Sequence, residues 1–470
     1  MHRFLISAAH KSSGKTAVSI GLAAALRGRG LSVQPFKKGP DYIDPLWLSL
    51  GAGRTCRNLD FYLSSHEEIE SQFRRHGAGV DVTFVEGNKG LYDGLDLEGS
   101  NSNAALAKML RLPVVLVIDT RGMTRGIAPL LLGYQAFDAG VHFAGVILNR
   151  VGGQRHESKL RTAVERYTPL PVLGALYEDS RLTLVERHLG LMPANEVRAA
   201  ERHIADMAQA VAEQVDIDRL LALTAAGPLP VAPARPSVAG DRLRVAIARD
   251  AAFGFYYADD LDALVAAGGE LVFFDTLRDA HLPACDALFI GGGFPESFLD
   301  ELEANATLRG EILQAIESGL PTYAECGGLM YLARSIEWQG RRRQMVGALP
   351  GNVRMHDKPV GRGYVIVEPT RDHPWFAASP PDPQPPKELH AHEFHYSSME
   401  GVPATARYAW RVRRGHGIDG QFDGLMHRHV LASYTHLRTT SAFDWPAAFL
   451  AYARHVRAIA VTETHAPCSR

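Results

Sequence analysis

Short apolar runs recur through the first half of the chain at residues 4–9, 82–86, 113–119 and 144–149, with longer stretches of helical periodicity between them. Runs this short and this poor in polar residues suit strands buried on both faces, and their alternation with amphipathic segments predicts parallel βαβ units. The run at 4–9 gives way to small polar residues and then to a helix expected over 17–27. Residues 225–242 are rich in proline and lose the periodicity, which predicts a linker between one α/β domain at 1–224 and another at 243–460. The second domain opens on an apolar strand at 243–248 and continues with strands expected at 270–275, 287–290 and 322–324. Later strands at 365–367 and 431–434 imply some antiparallel pairing, and 377–387 reads as an inserted loop. No internal repeat is visible.

Composition narrows the function without naming it. The chain has 470 residues, 46% apolar and 22% charged, enough for two or three independent cores. Its net charge of −2 is spread evenly, which argues against a nucleic-acid groove or a basic membrane-binding face and favours a small anionic metabolite. The N-terminal apolar run is shorter than a secretory core, and no stretch approaches the ~20 apolar residues of a membrane span, so the cytoplasm is the expected compartment. Cys56, Cys285, Cys326 and Cys468 are scattered with neither zinc spacing nor a disulfide framework. All four are expected reduced, and Cys56, Cys285 and Cys468 structural.

A phosphate loop needs backbone N–H groups at a helix N-terminus, a lysine for the β/γ-phosphates and a hydroxyl for Mg²⁺. Ser12, Ser13 and Gly14 supply the turn, Lys15 the charge and Thr16 the hydroxyl, although Ala9 stands where the usual pattern has a glycine. Lys37 follows the next strand candidate, Asp41, Tyr42 and Asp44 come shortly after it, and Glu86 ends a third. Carboxylates at the ends of parallel strands face the crevice where ligands bind, and Asp41 and Glu86 with Thr16 make a suitable Mg²⁺ set.

The second half offers a nucleophile. Residues 288–296 read as a strand ending in Gly291-Gly292-Gly293, and 321–328 have the strand, sharp turn and helix of an elbow around Cys326. A helix N-terminus favours the thiolate, and the N–H groups of Gly327, Gly292 and Gly293 would form an oxyanion hole. His436, at the end of the last strand candidate, is the expected base. The histidine-rich stretch 390–396 lacks the companions of a zinc site and reads as a structural or substrate-facing loop.

Taken together these motifs resemble the cobyrinate/hydrogenobyrinate a,c-diamide synthase family, along nearly the whole chain. The matching residues are the phosphate loop, the Gly39–Pro45 run, Arg57-Asn58-Leu59-Asp60, Glu86-Gly87 with Gly90-Leu91-Tyr92-Asp93-Gly94, the Glu325-Cys326-Gly327-Gly328 elbow, and His392-Glu393-Phe394-His395-Tyr396-Ser397. The resemblance implies a dethiobiotin-synthetase-like ATP-binding domain followed by a class I glutamine amidotransferase domain. It further implies ATP as cosubstrate with Mg²⁺, glutamine as nitrogen donor, and a tetrapyrrole whose acetate carboxylates become amides. Asn149 would read the nucleotide base, Tyr42, Asp44, Tyr92, Asp93, His392 and His395 would touch the substrate, and the arrangement is compatible with a homodimer. Leu48 sits where a histidine is common after Asp-Pro, and three further departures stand out. Residues 8–13 differ from the family's usual loop, Asn88-Lys89 replaces an apolar pair, and Arg438 stands where many amidotransferases have an acidic residue after the histidine. The first two look similar to the sirohaem-amidating branch of sulfur-oxidising bacteria, so the substrate leans slightly to a sirohaem or sirohydrochlorin type over cobyrinate. Of another class, a regulatory phosphate-loop ATPase would need an inert second domain, which the intact elbow disfavours. A cysteine hydrolase working without ATP would leave Lys15, Asp41 and Glu86 unexplained.

Overall fold

The computed structural model describes residues 1–184, 186–187, 190–191, 200–231, 241–377 and 386–465. It separates into two compact units, Met1–Ala234 and Arg235–Arg470. Residues 232–240 of the expected linker, 378–385 of the expected insertion, and Cys468 lie outside the described residues.

The first unit is built on seven parallel strands: β1 (His2–Ala8), β2 (Val33–Lys38), β3 (Arg57–Leu59), β4 (Val82–Glu86), β5 (Val114–Asp119), β6 (Phe143–Val151) and β7 (Val172–Tyr177). They lie in the order β3-β2-β4-β1-β5-β6-β7. Apolar cores cover both faces, with Phe4, Ile6, Phe84 and Val117 on one and Leu5, Phe36, Val85 and Leu116 on the other, which is why these strands read as continuous apolar runs. Helices α1 (Lys15–Gly28) and α2 (Ile43–Ala52) cover the first face, whereas α3 (His66–Gly77) and α4 (Asn103–Leu110) cover the second. The chain leaves β1 to one side for β2 and β4 and to the other for β5. The loops after β1, β2 and β4 therefore surround the switch point of the sheet, where ligands of such folds bind.

The second unit holds a nine-stranded sheet. Its strands are β8 (Leu243–Ala248), β9 (Gly269–Phe274), β10 (Ala287–Ile290), β11 (Thr322–Glu325), β12 (Gly361–Pro369), β13 (Leu389–His395), β14 (Arg407–Arg414), β15 (Phe422–His427) and β16 (Val430–Ser433). They run in the order β9-β8-β10-β11-β16-β15-β14-β12-β13, parallel up to β16 and antiparallel beyond. The mixed character expected from the late strands is present. The histidine-rich stretch differs from its expectation as a loop: it is strand β13, paired through seven residues with β12. The period of two puts Ala391 and Glu393 on one buried face and His390 and Phe394 on the other, more exposed one, where His392 between them is nevertheless buried.

Candidate active site

Helix α1 begins at Lys15, two residues before the expected start, so Lys15 and Thr16 occupy its first turn. Gly14 caps it in the left-handed region at φ 83°, and a Cβ there would fall 2.2 Å from Asn149 Nδ2, so glycine is required. No side chain caps the helix, which leaves its first N–H groups to a ligand. Asn149 Nδ2 donates to Ser13 O at 2.9 Å, and Arg150 Nη1 donates to Ser12 O at 2.9 Å and pairs with Asp119 at 2.7 Å. Ser13 Oγ donates to His10 O at 2.8 Å. In this structure Asn149 thus props the loop through its amide nitrogen, a role the sequence did not suggest.

Beside the loop the carboxylates and lysines interlock. Thr16 Oγ1 donates to Glu86 Oε1 at 2.8 Å and lies 3.4 Å from Asp44 Oδ2. Lys37 Nζ sits 2.9 Å from Glu86 Oε1, 3.8 Å from Asp41 and in direct contact with Asp44, while Lys15 Nζ is 4.0 Å from Glu86. Burial alone would lower the Lys37 pKa, but the three carboxylates outweigh it and hold the ammonium charged. Lys15 is lowered by burial and by Lys37. Burial and the Asp44 charge push Asp41 up to about 7, whereas Asp44 is lowered: burial works against this, and Lys37 prevails. Asp41 Oδ1 also accepts from the N–H groups of Ile43 and Asp44, at 3.0 and 3.1 Å, and so caps α2. Asp44, expected among substrate contacts, lies in this cluster.

The oxygens of Thr16, Asp41, Asp44 and Glu86 are hard donors of the kind Mg²⁺ takes. Glu86 Oε2 is fully buried and has no hydrogen-bond partner among the described residues, an orphaned acceptor beside the phosphate loop. The set fits the metal. Tyr92 and Asp93 lie on the loop after β4: the Tyr92 hydroxyl donates to Tyr134 O at 2.6 Å, and Asp93 Oδ2 accepts from Gly90 N at 3.0 Å. Tyr42 lies at the N-cap of α2.

In the second unit Cys326 is the N-cap of a short helix, α5 (Gly327–Leu332), with φ 48° and ψ −101°. A cysteine so placed is strained, as an elbow requires, and its N–H is anchored on Ser433 O at 2.7 Å. The glycine loop meets it closely: a Cβ on Gly327 would fall 2.9 Å from Gly293 N, and one on Gly292 would fall 2.7 Å from His436 Cε1. Cys326, Gly327, Gly292, Gly293 and His436 are therefore together, as the elbow reading anticipates.

The residue that sequence reasoning missed is Glu325. His436 Nδ1 lies 3.3 Å from Glu325 Oε2, and Glu325 Oε1 accepts from Leu437 N at 3.0 Å and from the Tyr323 hydroxyl at 2.6 Å. Burial would lower the His436 pKa, but hydrogen bonds to Cys326 and Glu325 raise it to about 10. Arg438, at the position where an acid is usual, turns to Asp259 at 3.3 Å. The only signal for Glu325 was its place immediately before the cysteine, and nothing in a linear sequence shows that it meets a histidine 111 positions away.

His392 and His395 are interior residues of this unit. His392 stacks on His436 with ring centroids 4.9 Å apart, and their main chains pair, His436 N donating to His392 O at 2.8 Å. Burial and the neighbouring His436 and Arg438 hold its pKa well below the usual range, so it is neutral. His395 Nδ1 contacts Ser397 O at 2.8 Å, and its ring stacks on Tyr434 at 3.8 Å. Both side chains pack in the interior around His436 and Tyr434, on a strand where a structural or substrate-facing loop was expected. No helix of the described residues is long and apolar enough to cross a membrane.

A phosphate-loop unit and an amidotransferase unit in one chain define a glutamine-dependent amidoligase. Comparison with known proteins bears this out. The CobQ/CobB/MinD/ParA nucleotide-binding domain matches residues 5–191, and the CobB/CobQ-like glutamine amidotransferase domain matches residues 244–442. A cobyrinate a,c-diamide synthase of Magnetococcus marinus is 46% identical, with 96% of each chain covered. One of Methanosarcina acetivorans is 41% identical over 93% of this chain and 92% of its own. One of Listeria monocytogenes is 39% identical over 93% and 96%. The chain belongs to the cobyrinate a,c-diamide synthase family.

Proposed function

We propose that this protein converts the peripheral a and c acetate carboxylates of a tetrapyrrole to primary amides, one ATP and one glutamine being consumed at each. The observation that carries the reading is the pairing, within one chain, of the Lys15/Lys37/Glu86 cluster at a phosphate loop with the Cys326–His436–Glu325 arrangement at an elbow. In the first unit a substrate carboxylate oxygen attacks the γ-phosphorus of ATP, giving an acyl phosphate and ADP. Lys15 and Lys37 offset the charge of the transferring group, and the N–H groups of α1 hold the phosphates. Mg²⁺, held by Thr16, Asp41, Asp44 and Glu86, would supply further charge compensation. With its nitrogen on Ser13, Asn149 keeps Oδ1 for an amino group of the base.

In the second unit the Cys326 thiolate attacks the glutamine side-chain amide, with the developing oxyanion facing the N–H groups of Gly327 and the Gly292-Gly293 loop. His436 protonates the leaving ammonia and then takes a proton from the water that cleaves the thioester, releasing glutamate. Ammonia displaces phosphate from the acyl phosphate and leaves the amide. Tyr42, Tyr92 and Asp93 stand on the loops that would border the macrocycle.

The names of relatives at 39–46% identity favour cobyrinate as the substrate. A second reading, a sirohaem-type substrate, draws its support from Asn88 and Lys89, which replace an apolar pair on the loop after β4. The test is incubation with ATP, Mg²⁺ and glutamine beside cobyrinate, sirohaem and sirohydrochlorin separately, followed by product masses. Conversion of acid to amide on one of them names the substrate; ATP hydrolysis with no mass change on any would overturn the ligase reading in favour of a regulatory ATPase.

A further inference from the structure

Two adjacent lysines end β2, and period-two geometry sends them to opposite faces of the sheet. Lys37 is surrounded by carboxylates on the face of the phosphate loop. Lys38 is also buried, at 5% exposure, yet its Nζ reaches only the neutral Oδ1 of Asn88, at 3.2 Å, and it forms no salt bridge with any described residue. Burial, opposed by Asp60 and reinforced by Lys89 and Lys37, pulls its pKa down to about 8. An ammonium withdrawn from water with no ion-pair partner, and with only the charge of Asp60 to oppose its burial, is retained at a desolvation cost that the fold repays in part.

The segment that Lys38 faces is held in a strained shape. Lys89 lies in the left-handed region at φ 45°, where a residue with a Cβ is disfavoured, and its side chain is exposed. Asn103, fully buried at the start of α4, fixes the turn: its Oδ1 accepts from Asn88 N at 3.2 Å, and its Nδ2 donates to Gly90 O at 2.9 Å and to Ser7 Oγ at 3.1 Å. Asn88, Lys89 and Lys38 are thereby kept together at the C-terminal edge of the sheet.

We propose that Lys38, Asn88 and Lys89 form a subsite for a carboxylate of the substrate other than the one being amidated. The proposal rests on the reading of the substrate as a tetrapyrrole polycarboxylate. The nucleotide phosphates have their own partners on the other face of β2, in the α1 N–H groups, Lys15 and Lys37. Neither cation on this side forms an ion pair with a described residue, Asp60 acting on Lys38 only through its charge, and a macrocycle with carboxylates around its rim presents a second one while the first meets the γ-phosphate. A carboxylate placed there supplies the direct ion pair that Lys38 lacks and fixes which acetate reaches the phosphate.

The test compares Lys38→Met and Asn88→Asp with the wild-type protein in steady-state amidation of cobyrinate and of sirohaem, alongside tetrapyrrole binding followed by the visible absorbance of the macrocycle. Lys38→Met is expected to raise the tetrapyrrole KM at least tenfold while the ATP KM moves less than twofold. Asn88→Asp gives Lys38 an internal carboxylate in competition with the substrate. It is expected to raise the tetrapyrrole KM similarly while the melting temperature holds or rises, which a merely structural role for the pair would not produce. An unchanged tetrapyrrole KM in both variants, or a parallel loss of ATP and tetrapyrrole affinity in both, overturns the subsite. If the wild-type protein binds neither tetrapyrrole, the reading of the function fails first and the subsite with it.

Discussion

His436 Nδ1 lies 3.3 Å from Oε2 of Glu325, the residue immediately before Cys326, so the proposed nucleophile and the carboxylate beside its proposed base come from consecutive positions. His436 hydrogen-bonds the side chains of both consecutive residues. The carboxylate supplies the negative partner that the position of Arg438 does not.

That relationship sets a pH dependence. The imidazolium of His436, which favours the Cys326 thiolate, is present below its pKa and is lost as pH rises through about 10. Glu325→Gln keeps an acceptor for Nδ1–H but removes the charge, while burial continues to oppose the cation. The alkaline limb of glutaminase activity should move down by about one pH unit or more, with kcat falling about tenfold to a hundredfold. A limb that stays in place would assign Glu325 to packing alone.

Nitrogen source separates the two units. Cys326→Ser should lose glutamine-dependent amidation by about three orders of magnitude or more, as expected when the thiolate of a covalent mechanism is removed, yet keep activity with ammonium chloride. Lys15→Ala should lose both, since no acyl phosphate forms without the cation on the γ-phosphate. Equal loss of both activities in Cys326→Ser, in a protein that still binds ATP, would undercut the division of labour.

Much of this arrangement was legible in the sequence because it depends on local patterns. Residues 4–9, Val82–Glu86 and Ala287–Ile290 read as buried strands because both of their faces are apolar, and Gly14 and Cys326 announced their turns through neighbouring small residues. What stayed hidden depends on contacts across the fold. Residues 390–396 looked like a loop because their histidines are polar, but the rings of His392 and His395 stack on His436 and Tyr434, and such pairing has no linear signature. The contact of Asp44 with Lys37 was likewise hidden, because it depends on the register of β2 with β4, which sets Lys37 opposite Glu86.

Metal binding should report through Glu86. Its Oε2 is the buried acceptor without a partner, so Glu86→Gln removes a ligand rather than a structural bond at that oxygen. ATP with Mg²⁺ at a hundred times its Kd adds about 2.7 kcal/mol to the stability of the unit that binds it. For a unit of this size that is a rise of about 5–10 °C in Tm. The variant should show the smaller rise that the wild-type protein shows with ATP and EDTA. A full Mg²⁺-dependent rise in Glu86→Gln would move the metal to other ligands.

Asn149 can be tested for two roles at once, because its two amide atoms face different tasks. Nδ2 holds the phosphate loop through Ser13 O, a bond worth about 1 kcal/mol and more where its loss strands a buried carbonyl, so Asn149→Ala should raise the KM for ATP about five- to thirtyfold. If Asn149 only props the loop, ATP and GTP suffer alike, since both present the same phosphates. If Oδ1 also accepts from the base amino group, the loss falls mainly on ATP and the preference between the two nucleotides shrinks. Glutaminase activity measured without tetrapyrrole, which belongs to Cys326 and His436, should stay within twofold in either case. A nucleotide KM that does not move would mean that Arg150, through Ser12 O, suffices to hold the loop.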